Sequence, residues 1–373
     1  MAKLGEVCKV SPSTKNIERQ GAWLLNLDMV EQQTGRVVEY NFVGEDGLNG
    51  SITQFDTENV LYSKLRPNLN KVVLPERDGF CTSELLPLRP DARKLDRSYL
   101  AVFLRSDGFV NWAVSKTAGA KMPRLGTKDL MNAEIPVPNI ERQKEIAEKF
   151  KKLEQLISLR KQQLAKLDEL AKARFVEMFG DISNSRKVPM QDVCKIITDG
   201  THQPPKFVLS GIPFLFVSNI VTNEIHYDAE KFISEETYNE LIKRTPIEVG
   251  DVLLSTVGSY GHPAVVKENK PFCFQRHIAY LKPNNSVVNS EYLRCAILST
   301  DLQRQIDESV KGIAQKTLNL SEIRKLRLPL PSLSLQNQFA AFAERIDQQK
   351  QTVQQSLEKL ELMKKALMQE YFG

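Results

Sequence analysis

One helical pattern occurs twice in this chain, 193 residues apart (373 minus 180), and closes each time on an aromatic-glycine word: Met178-Phe179-Gly180 and Tyr371-Phe372-Gly373. Glu141 to Met178 holds neither Gly nor Pro and is rich in Lys, Glu, Gln and Leu, the residues that favour helix. The prolines of Ile135-Pro-Val-Pro138, and of Leu328-Pro-Leu-Pro331 in the second copy, bar each helix from running further back. Within the first copy Ile146, Phe150, Leu153, Ile157, Arg160, Leu164, Leu167, Ala171, Arg174 and Met178 step by four and three, the spacing of a coiled-coil seam. The second gives Phe339, Ala343, Ile346, Lys350, Val353, Leu357, Leu360, Lys364, Leu367 and Tyr371. A helix of about 38 residues is about 57 Å long, and a half-apolar one needs a partner. The other copy supplies it, and antiparallel packing is predicted because the first helix runs directly into the second globular segment. The two globular segments then lie apart, related by a pseudo two-fold axis. A scaffold or dimerisation coiled coil would show the same seam.

The offset extends beyond the helices. Pro136, Pro138 and Gln143 correspond to Pro329, Pro331 and Gln336; further upstream, where loops differ in length, Val7-Cys8-Lys9 aligns with Val193-Cys194-Lys195 and Cys81 with Cys273. The segments read as 1–139, a globular domain; 140–180, a helix; 181–332, a second globular domain; and 333–373, a second helix. Within the first domain, β-favouring runs at Arg36 to Val43, Asn59 to Ser63, Lys71 to Leu74 and Phe80 to Leu88 alternate with turn signals, followed by helical spacing from Ser98 to Val114. The second repeats this with Ile212 to Ile220, Val252 to Thr256, His277 to Lys282 and a helix from Glu291 to Ile306. The fold class is therefore α+β, a mixed α/β domain built twice.

No stretch of about 18 apolar residues is present, so no membrane span is expected, and the first ten residues lack the apolar run of a secretory signal. Five cysteines without a Cys-x-x-Cys pair suit a reducing cytoplasm, and four of them, repeat-equivalent, read as small core residues. A net charge of +5 permits a nucleic-acid partner without demanding one. Catalytic signatures are missing: there is no phosphate-binding glycine loop, no dinucleotide fingerprint and no Asn-Pro-Pro-aromatic motif, and the four histidines form no metal-ligand pair. No catalytic residue and no metal ligand is assigned. A binding protein is favoured over an enzyme that modifies or cuts DNA by itself.

Candidate contacts lie in matched loops. Lys64, Arg66, Asn68 and Lys71 crowd one strand-loop-strand; the equivalent is Ser255-Thr-Val-Gly-Ser-Tyr-Gly-His262, containing Ser259 and Tyr260. Lys116, Lys121 and Arg124 flank Gly119, as Lys311, Gln315 and Lys316 flank Gly312. Thr201, His202 and Lys206 lie in a rigid polar stretch with no basic counterpart in the first copy. Arg and Lys read guanine edges or neutralise phosphate, and Ser, Thr, Asn and His pair with base edges or backbone oxygens. Any single basic loop also suits a solvated turn. The halves share a frame and differ in their polar loops, as two readers of different targets would.

The segment 61–73, Met122-Pro-Arg-Leu125, Gly250-Asp-Val-Leu-Leu-Ser-Thr-Val-Gly258, Gln275-Arg276-His-Ile-Ala279, Leu328-Pro-Leu-Pro331 and the helix start at Gln336 strongly resemble the specificity (S) subunits of type I restriction-modification systems. The resemblance spans essentially the whole chain and is weakest over the first 58 residues. It implies that each globular half is a target recognition domain reading half of a bipartite site in double-stranded DNA, and that each helix is a conserved spacer setting the gap. It also implies a non-catalytic subunit without cofactors of its own, in a prokaryotic cytoplasm. Two modification (methyltransferase) subunits, and through them restriction subunits, would carry S-adenosylmethionine, ATP and Mg.

Overall fold

The computed structural model describes residues 1–119, 121–180, 187–312 and 316–373. They form two compact units, Met1–Lys161 with Gln355–Gly373, and Gln162–Gln354. Each unit thus contains one globular domain, the near half of one long helix and part of the other.

In the first unit a four-stranded antiparallel sheet runs in the order Cys8–Val10, Leu85–Pro90, Val60–Ser63, Val72–Val73. A second sheet, Asn41–Val43, Ala22–Leu25, Gly79–Thr82, Ile52–Phe55, contains one parallel pair, Ala22–Leu25 with Gly79–Thr82. The apolar run from Phe80 to Leu88 is therefore not one strand. It turns at Ser83 and Glu84 and places its two halves in different sheets. Of Arg36 to Val43 only Asn41–Val43 pairs as a strand, while Val37 makes a single bridge to Val30. In the second unit the first sheet recurs as Cys194–Asp199, Ile278–Pro283, Val252–Ser255, Pro263–Val265. The second differs at its edge, being ordered Phe207–Val208, Lys231–Ile233, Ile212–Leu215, Cys273–Phe274.

The helical spacing from Ser98 to Val114 resolves into two helices, Arg97–Leu104 and Asp107–Ser115. Both bury apolar residues in one core, so the periodicity continues across the break. The break itself is polar: Ser106 is extended and its Oγ accepts from Phe109 N–H at 3.2 Å. The expected single helix from Glu291 to Ile306 divides in the same way into Ser290–Leu298 and Thr300–Ser309, with Ser299 capping the second. Ser106 and Ser299 are again 193 apart (299 minus 106).

A buried polar frame joins each domain to its helix. Gln143, fully buried, accepts from Asp96 N–H at 2.8 Å and donates to the carbonyls of Lys94 and Pro138 at 2.9 and 2.8 Å. Gln336 accepts from Asn289 N–H at 2.8 Å and donates to Val287 and Pro331 at 3.2 and 2.9 Å. Tyr99 and Tyr292 donate their hydroxyls to the carbonyls of Pro136 and Pro329 at 2.8 and 2.7 Å. Buried polar groups satisfied this fully fix an orientation that apolar packing alone leaves adjustable.

The long helices span Ile140–Phe179 and Leu333–Phe372. Within the first unit Phe150 meets Phe372, Glu154 meets Lys364 at 2.9 Å and Lys161 meets Glu361 at 3.1 Å, so the segments are antiparallel. Within the second unit Phe179 meets Phe339 and Asp168 meets Lys350 at 2.7 Å, again antiparallel. Of the seam residues Leu153, Leu167, Ile346, Val353 and Leu357 are buried, and Ile157, Leu164 and Leu360 are half-buried. The terminal aromatics cross over: Phe372 packs on Tyr99 (5.4 Å between ring centres) and Phe103, whereas Phe179 packs on Tyr292 (5.0 Å). Each helix therefore ends against the domain of the other copy.

Candidate nucleic-acid interface

In both units the loop joining the last two strands of the first sheet is bonded to a short hairpin ahead of the final domain helix. In the first unit Arg66 N–H donates to Pro123 O at 2.8 Å and Leu125 N–H to Lys64 O at 2.9 Å. The hairpin is closed by reciprocal Ala118–Arg124 bonds of 3.1 and 3.0 Å around Gly119, whose φ of 98° suits glycine. In the second unit Leu318 N–H donates to Thr256 O at 2.8 Å and Gly258 N–H to Lys316 O at 3.3 Å, and Lys311 and Thr317 exchange bonds of 3.0 and 2.9 Å around Gly312 (φ 108°). Loops separate in sequence are thus neighbours, and in the same way twice.

The side chains divide into exposed and engaged groups. Arg66, Asn68, Lys116 and Lys121 are exposed and Lys64 is half-buried. Arg66 stands at φ 48° and Asn70 at φ 50°, left-handed backbone that non-glycine residues adopt rarely and that concentrates at functional loops. Lys71 does not share this surface. Its ammonium donates inward to the Leu27 carbonyl, and burial holds its pKa below the ordinary lysine value. Arg124 is exposed but bonded to Glu84 at 2.9 Å, which raises its pKa and offsets its charge.

In the second unit Lys311, Lys316 and Ser259 are exposed, and Tyr260 donates its hydroxyl to Asp307 at 2.9 Å. Gln315 lies outside the described residues. Ser255 is fully buried and closes its own loop, its Oγ accepting from His262 N–H at 2.9 Å, so it offers nothing to a ligand. Thr201 is bonded through its backbone to Phe274 and Arg276 at 3.1 and 3.0 Å, which brings it beside the exposed Arg276. His202 Nε2 lies 2.9 Å from Asp199 Oδ2, and Lys206 is exposed. Burial and the adjacent Arg276 charge hold the His277 pKa below the ordinary histidine value.

Two contributors escaped the sequence reading. Gln33 donates its backbone N–H to Leu69 O and its Nε2 to Asn68 O, both at 3.1 Å, and so supports the Arg66–Asn70 turn from below. Arg244 shares Asp199 with His202 at 2.5 Å. The first signal available was Gly35, two residues on from Gln33; the second was the basic pair Lys243-Arg244. Burial pushes the thiols of Cys8, Cys81, Cys194 and Cys273 up to about 12, so they are unreactive near neutral pH. Among the described residues no group of three His, Cys, Asp or Glu could hold a metal ion, and no helix is long and apolar enough to cross a membrane.

Residues 2–169 and 183–362 both match the family described as the type I restriction modification DNA specificity domain. The chain belongs to that family. The specificity-domain match is double, as the repeat requires. Curated relatives include two from Escherichia coli: the type I restriction enzyme EcoDI specificity subunit, 30% identical over 33% of this chain and 27% of its own length, and the EcoBI specificity subunit, 23% identical over 65% of this chain and 59% of its own. The chain thus spans less than two thirds of either. The solved type I S subunit from M. genitalium shares the fold, with a TM-score of 0.58 at 16% identity, over 100% of this chain and 95% of that one.

Proposed function

We propose that this chain is the DNA-recognition subunit of a prokaryotic, cytoplasmic type I restriction-modification complex, each domain reading one half of a bipartite site in double-stranded DNA. The observation that carries the reading is the loop-and-hairpin pair built by the same backbone bonds in both units but furnished differently. Arg66, Lys116 and Lys121 stand in one, Ser259, Lys311 and Lys316 in the other. Equal frames with unequal side chains suit two readers of unequal sequences, with Lys64 and the basic residues also neutralising phosphate. Thr201, His202, Lys206 and Arg276 would extend the second surface.

On this reading the subunit performs no chemistry and holds no cofactor. S-adenosylmethionine, ATP and Mg belong to partners, two modification subunits and, through them, restriction subunits. The helices would be the docking rods and the spacer between half-sites. Leu156 and Leu159 on one helix, and Leu362 and Met363 on the other, are apolar and 44 to 69% exposed in the first unit. Leu170 and Val176 are exposed in the second. A partner that covered them would remove apolar surface that a solitary protein leaves wet. The test is to combine the purified chain with its modification subunits and a random DNA library. Methylation confined to sites sharing two separated half-motifs is expected; methylation without sequence preference, or by the chain alone, would overturn the proposal.

A further inference from the structure

The long helices carry an acid at equivalent positions, Glu154 and Asp347 (347 minus 154 is 193), and in each unit that acid meets at least one cation reaching out of the globular domain. In the first unit Glu154 Oε2 lies 3.5 Å from Arg105 Nη1, and its Oε1 accepts from Lys364 Nζ at 2.9 Å. The Arg105 side chain is only 10% exposed. Its Nε and Nη2 donate to the carbonyl of Val72 at 3.2 and 2.6 Å, where the chain leaves the candidate reading loop for the next strand. Its own carbonyl accepts from Asn70 Nδ2 at 3.0 Å, and Asn70 is the left-handed residue closing the Arg66–Asn70 turn. Beside them is Gly35, where a Cβ would stand 1.7 Å from Val72 O and 2.7 Å from Arg105 Nη2, so only glycine fits against the guanidinium. The base of the reading loop is thus fastened to a buried cation whose counter-charge sits on a long helix.

The second unit also places domain cations on the acid at this helix position, by other residues. Asp347 Oδ2 accepts from Lys267 at 2.9 Å and from Arg294 Nη2 at 3.3 Å, and Glu291 accepts from Arg294 Nε at 2.7 Å. Lys267 stands two residues beyond Pro263–Val265, the strand that leaves the Thr256 to His262 loop. Arg105 and Arg294 are not repeat-equivalent, since 294 minus 193 is Ala101. The helix position nevertheless coincides, and the second unit's Lys267 follows the strand that leaves the reading loop. Apolar seams tolerate small sliding, whereas short charge-assisted bonds fix direction and register.

We propose that Glu154 and Asp347 are positioning residues for sequence reading, each setting, through a cation of its own domain, the loop that reads its own half-site. This rests on the reading above, in which the domains read separate half-sites. The experiment uses the complex with its modification subunits and compares methylation of the cognate site with sites carrying single-base substitutions in either half. Glu154→Gln preserves volume and removes the charge. It should reduce discrimination about tenfold in one half-site only, roughly the weight of one mismatched base pair. Asp347→Asn should do the same in the other half. Arg66→Ala marks the half-site of the first domain, and Glu154→Gln must relax that same half. Lys350→Ala serves as the control, because its bond to Asp168 (2.7 Å) joins the two long helices within the second unit, and it should leave discrimination unchanged. The proposal falls if Glu154→Gln leaves both halves unchanged or relaxes both alike, or if Lys350→Ala relaxes either half. An unaltered complex with no two-part preference would instead overturn the half-site reading beneath it.

Discussion

Replacing Gln143 by Leu keeps the volume of a fully buried side chain and removes three hydrogen bonds of 2.8 to 2.9 Å. The N–H of Asp96 loses its acceptor, and the carbonyls of Lys94 and Pro138 lose their donor. Each orphaned group costs about 1 kcal/mol at the lower end of the range, appropriate because the partners are only partly buried, so the first unit should lose about 3 kcal/mol. Asp96 also caps Arg97–Leu104, accepting from Tyr99 N–H at 2.9 Å, so the damage spreads to the helix that carries Tyr99. Native-state hydrogen exchange is the suitable assay, because it separates units that one melting temperature would merge. Protected amides of Arg97–Leu104 should exchange about 100-fold faster, with those of Ser290–Leu298 unaffected, and Gln336→Leu should invert the pattern. A loss below about 1 kcal/mol, or an equal loss in both units, would refute the claim that each glutamine locks its own domain to its own helix.

Salt dependence tests the phosphate contacts: Arg66→Ala combined with Lys121→Ala should reduce the slope of log affinity against log salt by about 2, at about 0.9 per contact, and an unchanged slope would remove both residues from the interface. Asp56, nearly fully buried, is subject to burial that raises its pKa, but its bonds from Ser13 Oγ (2.7 Å), Arg89 (2.6 Å) and Glu58 N–H outweigh this and hold it below the ordinary value. A depressed pKa contributes stability that is present above the unfolded value, near pH 4, and lost as pH falls through the folded one. Asp56→Asn should therefore destabilise the first unit by about 2 kcal/mol at pH 7 and by progressively less as pH falls below about 4, as read from denaturant titrations across that range. One helical turn inserted at Gln162 and one at Gln354 lengthens each helix by about 5.4 Å. The preferred gap should then grow by one to two base pairs, at about 3.4 Å each; an unchanged gap in the methylation map would count against the helices as spacers.

Repetition and periodicity made much of the molecule legible. The helices followed from a Gly- and Pro-free run with a three-four stripe, and the corresponding loops from the offset. What stayed hidden depended on direction. Ser106 and Ser299 break the expected helices because a hydroxyl cap leaves the apolar periodicity intact on both sides. Ser83 and Glu84 send two halves of one apolar run into different sheets, which β-propensity does not register. The loops were matched between the copies by the offset, but what each side chain faces was not legible: Lys71 points inward to a carbonyl, Arg124 is bonded to Glu84 and Ser255 is buried. Residue type gives a side chain's chemistry, and only the fold decides what it faces.

The central claim is that one chain holds two independent readers. A map of methylated bases tests it most directly, made with complexes of the unaltered chain, of Arg66→Ala, and of Lys311→Ala with Lys316→Ala. The account predicts one bipartite motif for the unaltered chain, relaxed in one half by the first variant and in the other half by the second. A single continuous motif, or loss of the same half in both variants, would contradict it.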